Sequence, residues 1–165
     1  MGYNVLDVID KLIMIKQKVK GIYINISYMD IEEQAIKLVA TALAQVQEKH
    51  IKYYEELRNK IGENTEEIDF VIYDKISFLI DEYKNRVDIF EVKPKDIKEI
   101  LNLAFDFENK NGALIIDIQG RLVKKESDVE TKTYRILSEI LQKEQSYIKE
   151  LKSILEYGMK NNNIV

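Results

Sequence analysis

The stretch FDFENKNGALIIDI, Phe105 to Ile118, decides the fold. Its Asn111-Gly112 dipeptide, set between two apolar runs, is by itself a signal for a tight turn between strands. A helix through the same residues has to carry Gly112 in its interior, at about 1 kcal/mol relative to Ala. The helical reading prevails because the 3.6-residue spacing continues on both sides. Ile97, Leu101, Ala104, Glu108, Ile115 and Leu122 fall on one stripe. A helix is expected over 94–122, with Pro94 in its first turn, where a missing N–H is no loss.

Working outward, Val5, Val8, Leu12, Val19, Tyr23 and Ile26 give helical spacing over 4–27. Asp30 and Glu33 have the spacing of a capping box and open a second helix over 30–61, stopped by Gly62. Its inner stripe is expected to be Leu38, Val39, Ala42, Leu43, Val46, His50, Leu57 and Ile61. Residues 62–93 are too long for a loop between adjacent helices, and 66–84 within them is periodic enough for an extra helix. Ser127 and Glu130 repeat the capping-box spacing before a last helix over 127–158, with Leu137, Leu141, Glu144, Ile148, Leu151 and Leu155 inward. The fold class expected is all-α: one domain over 1–165, four bundle helices and an additional helical segment between the second and third.

Composition narrows the function. One Pro and six Gly among 165 residues are too few for a many-stranded sandwich or barrel. A net charge of −4 with the signs interspersed gives no footprint for nucleic acid. The absence of Cys excludes disulfides, thiolate zinc sites, iron–sulfur clusters and cysteine nucleophiles. Asp7, Asp10, Lys11, Lys16 and Lys18 interrupt any export signal, and no stretch approaches the roughly 20 apolar residues of a membrane span. The expectation is a cytoplasmic protein with neither nucleic acid nor membrane as partner. No glycine-rich phosphate loop, Gly-x-Ser-x-Gly elbow or two-histidine metalloprotease helix is present.

Ionisable residues interrupt the apolar stripes. Lys16 lies between Leu12 and Val19, Gln47 and His50 continue from Leu43 and Val46, Glu108 follows Ala104, and Glu144 follows Leu141. Singly, each has an ordinary reading: a satisfied core histidine, a snorkelling lysine, a glutamate at the edge of its stripe. Together they predict one shared internal polar cluster, because buried charges are costly unless paired or bound to metal. The ten Tyr residues, Tyr53 and Tyr54 among them, are expected at helix crossings with their hydroxyls outward.

The pattern resembles the rubrerythrin-related branch of the ferritin-like superfamily, in its short prokaryotic members. The run from Ile97 to Lys110 is similar to the family's third bundle helix, with Glu108 at the metal-ligand position. Ile140 to Leu151 is similar to the fourth, with Glu-x-x-His reduced to Glu144-x-x-Tyr147. Ala42 to Leu57 resembles the second, with Glu-x-x-His appearing as Gln47-x-x-His50. Tyr23 matches the tyrosine of the first helix, which sets Lys16 at the glutamate seven residues before it.

The resemblance implies a four-helix bundle and, in intact members, two iron or manganese ions working on oxygen or peroxide. Here His50, Glu108 and Glu144 survive as a residual metal set, while Lys16, Gln47 and Tyr147 stand at substituted ligand positions. By the family's geometry one metal would keep only His50, the other only Glu108, with Glu144 the sole bridge. Lys16 adds a positive charge where a dication would sit, so a full di-iron centre is not expected. Without Cys there is also no rubredoxin-type iron site.

Two expectations follow. In the first, the core is organic: Lys16 pairs with Glu108 and Glu144, while Gln47, His50 and Tyr147 supply the remaining hydrogen bonds. The protein is then no competent oxidase and works through its surface. In the second, His50, Glu108 and Glu144 hold one Fe, Mn or Zn ion as a metal-dependent oxidoreductase or iron-handling site. Glu48, Asp106 and Glu139 are the neighbours that could turn inward to rescue such a site. Bundles of this kind often pair, which makes a homodimer an expectation, beside an unidentified protein partner.

Overall fold

The computed structural model describes residues 2–161 and is all-helical. Five α-helices follow in order: α1 Val5–Tyr28, α2 Gln34–Ile61, α3 Phe70–Asp88, α4 Ile97–Leu122 and α5 Lys132–Asn161, with a 3₁₀ turn, Glu126–Glu130, before the last. Asn111-Gly112 lies inside α4, both residues buried, so periodicity overrides the turn signal.

The helix starts are set by side chains that accept orphan backbone N–H groups. Asn4 accepts from Leu6 N at 2.8 Å while Asp7 accepts from Asn4 N at 2.8 Å, a full capping box for α1. Asp69 caps α3 through Val71 and Ile72, and Asp96 caps α4 through Glu99. Three expected boundaries move. Glu33 precedes α2 with no side-chain cap, because Ile31 is buried in the link and Gln34 Nε2 turns back to Ile31 O at 3.1 Å; the Asp30–Glu33 box does not form. Ser127 and Glu130 lie in the 3₁₀ turn, organised by Asp128 at Lys124 N and Lys125 N, and Thr131 Oγ1 receives Tyr134 N at the true start of α5. Pro94 is buried in the approach to α4 and not in its first turn, since Asp96 is the stronger cap. Gly62, at φ +65°, ends α2 in a conformation that favours glycine.

α1 and α2 run antiparallel, with Arg58 gripping Asp10 at 2.5 and 3.0 Å and Lys20 bonding Glu48 at 2.7 Å. α4 and α5 form the second antiparallel pair, where Gln119 Nε2 reaches Ser138 Oγ at 2.8 Å. α3 lies against α1 and α4, held by Lys11–Asp81 at 3.0 Å and by Tyr83 Oη donating to Phe107 O at 3.2 Å. The expected inner stripes of α1, α4 and α5 are buried or half-buried throughout. On α2 the buried stripe is Ile36, Ala40, Leu43, Gln47, Ile51, Tyr54 and Leu57, while Leu38 is 73% exposed and Ala42 faces out. The buried stripe is offset by one residue from the expected one: Ala40, Gln47 and Ile51 are innermost, and Val39, Val46 and His50 beside them are half-buried. Among the described residues, no helix is long and apolar enough to cross a membrane.

Gly112 gives the fold a direct test. A Cβ there would meet Ile148 Cδ1 at 3.5 Å, an ordinary contact, so Gly112→Ala fits without repacking. The variant is expected to gain up to about 1 kcal/mol in helix propensity, seen as a higher midpoint of thermal unfolding.

Candidate functional site: a buried lysine–carboxylate centre

The stripes of α1, α2, α4 and α5 converge on the Lys16 ammonium, which is buried with its residue 1% exposed. It carries three protons and no lone pair, and acceptor atoms of three residues surround it. Glu108 Oε2 lies at 2.8 Å, the two oxygens of Glu144 at 2.9 Å, and His50 Nδ1 at 3.3 Å. Because an ammonium only donates, Nδ1 is the accepting nitrogen and the imidazole proton is on Nε2. Burial and the neighbouring Lys16 charge hold the His50 pKa down at about 4, so the ring is neutral at pH 7.

A second ring of groups serves the carboxylates. Gln47 Nε2 donates to Glu108 Oε1 at 2.7 Å, and Tyr54 Oη donates to Glu144 Oε1 in a short hydrogen bond. Tyr54 is the participant that sequence reasoning missed: its hydroxyl points inward, not outward. Its position, seven residues after Gln47 on the buried stripe of α2, was the available signal. Tyr147 meets the cluster through its ring, edge-on to His50 with centroids 4.5 Å apart, and not through its hydroxyl. Glu48 is turned to Lys20, Asp106 to Lys110 and Glu139 to Tyr53, so none of the three enters the site.

Charge is nearly balanced. Burial opposes the ammonium, but Glu108 and Glu144 together outweigh it and raise the Lys16 pKa. Burial and the Glu144 charge push Glu108 up to about 7 against the pull of Lys16. Burial also acts on Glu144, yet Lys16, the bond with Glu108 and the Tyr54 hydroxyl overcome it and lower its pKa. The two carboxyls are therefore pushed in opposite directions, Glu108 up and Glu144 down. Gln47 Oε1, the Tyr23 hydroxyl and the Asn111 amide are buried without partners among protein atoms.

Donor atoms of His50, Glu108 and Glu144 lie within 4.8 Å of one another, near enough to hold one divalent ion. Lys16 Nζ occupies that same space, within 3.3 Å of all three. The set fits one cation, and the ammonium is a cation already in it. For two ions the donors are too few. Outside the cluster, His50 and Tyr147 line a cleft of about 330 Å³ between α2 and α5, rimmed by Lys49, Lys143 and Glu150.

Comparison with protein-family models, curated proteins and solved structures finds no match. What fold and site define together is an all-helical bundle with a lysine–carboxylate centre at its core.

The centre has a predictable pH signature. A carboxyl whose folded pKa is raised loses stability as pH climbs from its unfolded value, about 4.3, through the folded one at about 7. Glu108→Gln removes that titration and keeps an amide acceptor for Lys16. The stability of the wild type relative to Glu108→Gln is expected to fall across that window and level off above it, measured by urea unfolding at a series of pH values. A constant difference would mean that Glu108 does not titrate there.

Proposed function

We propose that the chain is a ferritin-like protein of the rubrerythrin-related branch in which a lysine ammonium has replaced the dinuclear metal centre, so that it is no competent oxidase. The observation that carries this reading is the saturation of the Lys16 ammonium by His50, Glu108 and Glu144, one acceptor from each of three helices. These are the three residues that the resemblance assigns as surviving ligands. Lys16, Gln47 and Tyr147, at the substituted positions, are the three that lost ligand chemistry. Positive charge has come in where negative charge went out, which keeps the buried core near neutral. The unpartnered polar atoms of Gln47, Tyr23 and Asn111 fit a core once more heavily used by polar groups. With the interior committed to structure, function is assigned to the surface: binding or assembly in the cytoplasm, with a homodimer the first arrangement to test.

One observation favours a second reading. The 4.8 Å spread of the donor atoms suits a single Fe, Mn or Zn ion once Lys16 is displaced. Elemental analysis after anaerobic incubation with Fe(II), Mn(II) or Zn(II) and desalting separates the two. The organic centre predicts essentially no retained metal. One ion per chain, lost in His50→Ala, supports the mononuclear site, and two ions overturn the proposal. Lys16→Met is expected to lower stability by about 3–5 kcal/mol, as breaking a buried pair does. An unchanged unfolding midpoint in that variant would sink the organic centre.

A further inference from the structure

We propose that Lys16 and Glu108 are the two halves of an internal isopeptide bond which the chain forms on itself, joining α1 to α4. The inference rests on the organic-centre reading, since a metal in the same space would exclude the reaction.

Four features of the site converge on it. The nucleophile and the carboxyl are in contact: Lys16 Nζ is 2.8 Å from Glu108 Oε2, so the carboxyl carbon is one bond further on. Both side chains are 2% exposed, so water, whose excess in solution drives amides back to acid and amine, is kept away. Gln47 Nε2 donates at 2.7 Å to Glu108 Oε1, the oxygen that gains negative charge when nitrogen adds to the carbon. Glu144 has both oxygens 2.9 Å from the same Nζ, placed to take its proton, and is steadied from behind by the Tyr54 hydroxyl.

Glu108 is the electrophile and Glu144 the base because of their surroundings. Gln47 faces Glu108 Oε1, where charge gathers on addition, and the reacting form of Glu108 carries its proton on Oε2, since a neutral carboxylic acid accepts a nucleophile far more readily than a carboxylate. Glu144 turns both oxygens to Nζ, which places it as the base. The step balances as follows. Glu144 takes one proton from the Lys16 ammonium, and the freed lone pair adds to the Glu108 carbon as its carbonyl pair moves to Oε1. A second proton then passes from nitrogen through Glu144 to the hydroxyl on Oε2. The C–Oε2 bond breaks, water leaves and the amide carbonyl reforms. One N–C bond is made, one C–O bond is broken, one proton remains on Glu144, and no oxidant or reductant takes part. The unpartnered Gln47 Oε1 is a local acceptor for the water released. The product replaces a charged pair, which a dry interior disfavours, with a neutral amide.

The ion pair favours the ammonium, so the reaction is slow. A freshly folded chain carries the salt bridge, and the bonded fraction grows with time near neutral pH. The test is the intact mass of the full chain, incubated folded for days and then denatured, followed by proteolysis and fragment sequencing. Metal content is measured on the same sample. The expected result is a species lighter by one water, with a branched peptide linking Lys16 to Glu108. Lys16→Arg keeps the cation but cannot form the bond, and retains the full mass. Glu144→Gln keeps the shape and the Tyr54 contact and forms the bond at least about 100-fold more slowly, the usual worth of a positioned base. A wild-type chain of full mass after incubation, or one lighter by water with only linear peptides, overturns the bond. Equal rates in wild type and Glu144→Gln overturn the assigned mechanism. Full mass without metal leaves the organic centre standing, whereas full mass with bound metal removes both.

Discussion

One ammonium group with three protons and three accepting residues holds the interior of this bundle together. Lys16 comes from α1, His50 from α2, Glu108 from α4 and Glu144 from α5, so four of the five helices meet at a single nitrogen. Apolar packing alone tolerates a helix sliding by a turn, because one isoleucine replaces another. A buried charge does not tolerate it. Any slip that separates Lys16 from its carboxylates leaves an unpaired charge in a dry core, at a cost of several kcal/mol. The centre is therefore a device for register as much as for stability, as single polar residues are in coiled coils.

Gln47 and Tyr54 make that device possible. A carboxylate facing one ammonium has acceptor sites to spare, and in a buried setting those sites need donors. Gln47 supplies one to Glu108 and Tyr54 one to Glu144, both from α2. Their surroundings also push the two carboxyls apart. Glu144 sets both oxygens against the ammonium and accepts the Tyr54 hydroxyl, which draws its pKa down, while Glu108 touches the ammonium with one oxygen and Gln47 with the other and is raised by burial and the Glu144 charge.

Much of this was legible in the residues. Stripe spacing located Lys16, Gln47, His50, Glu108 and Glu144 in one interior because a charged residue among Leu and Ile at helical spacing has nowhere else to go. The same logic carried α4 through Gly112, where a purely local signal pointed to a turn. What the sequence did not disclose depends on rotation and competition between neighbours. Leu38 and Tyr54 are equally apolar in pattern, but the helix phase that buries Gln47 exposes the first and turns the hydroxyl of the second inward. Capping is ambiguous for the same reason: Asp30, Ser127 and Asp128 all have capping chemistry, and the choice among such residues falls to the packing of Ile31 and the reach of Glu66 to the backbone of Lys132 and Thr133.

The distances along the chain between the partners have a kinetic consequence. The α1–α2 and α4–α5 hairpins are built from contacts close in sequence and can assemble early, as local topology favours. Lys16 is separated from Glu108 by 92 residues and from Glu144 by 128, so the centre closes only after the two hairpins meet across the α3 crossover. Interactions made after the folding barrier leave the folding rate nearly untouched and slow escape from the native state instead. The lysine works as a latch: it does little to bring the helices together, and sets how long they stay together.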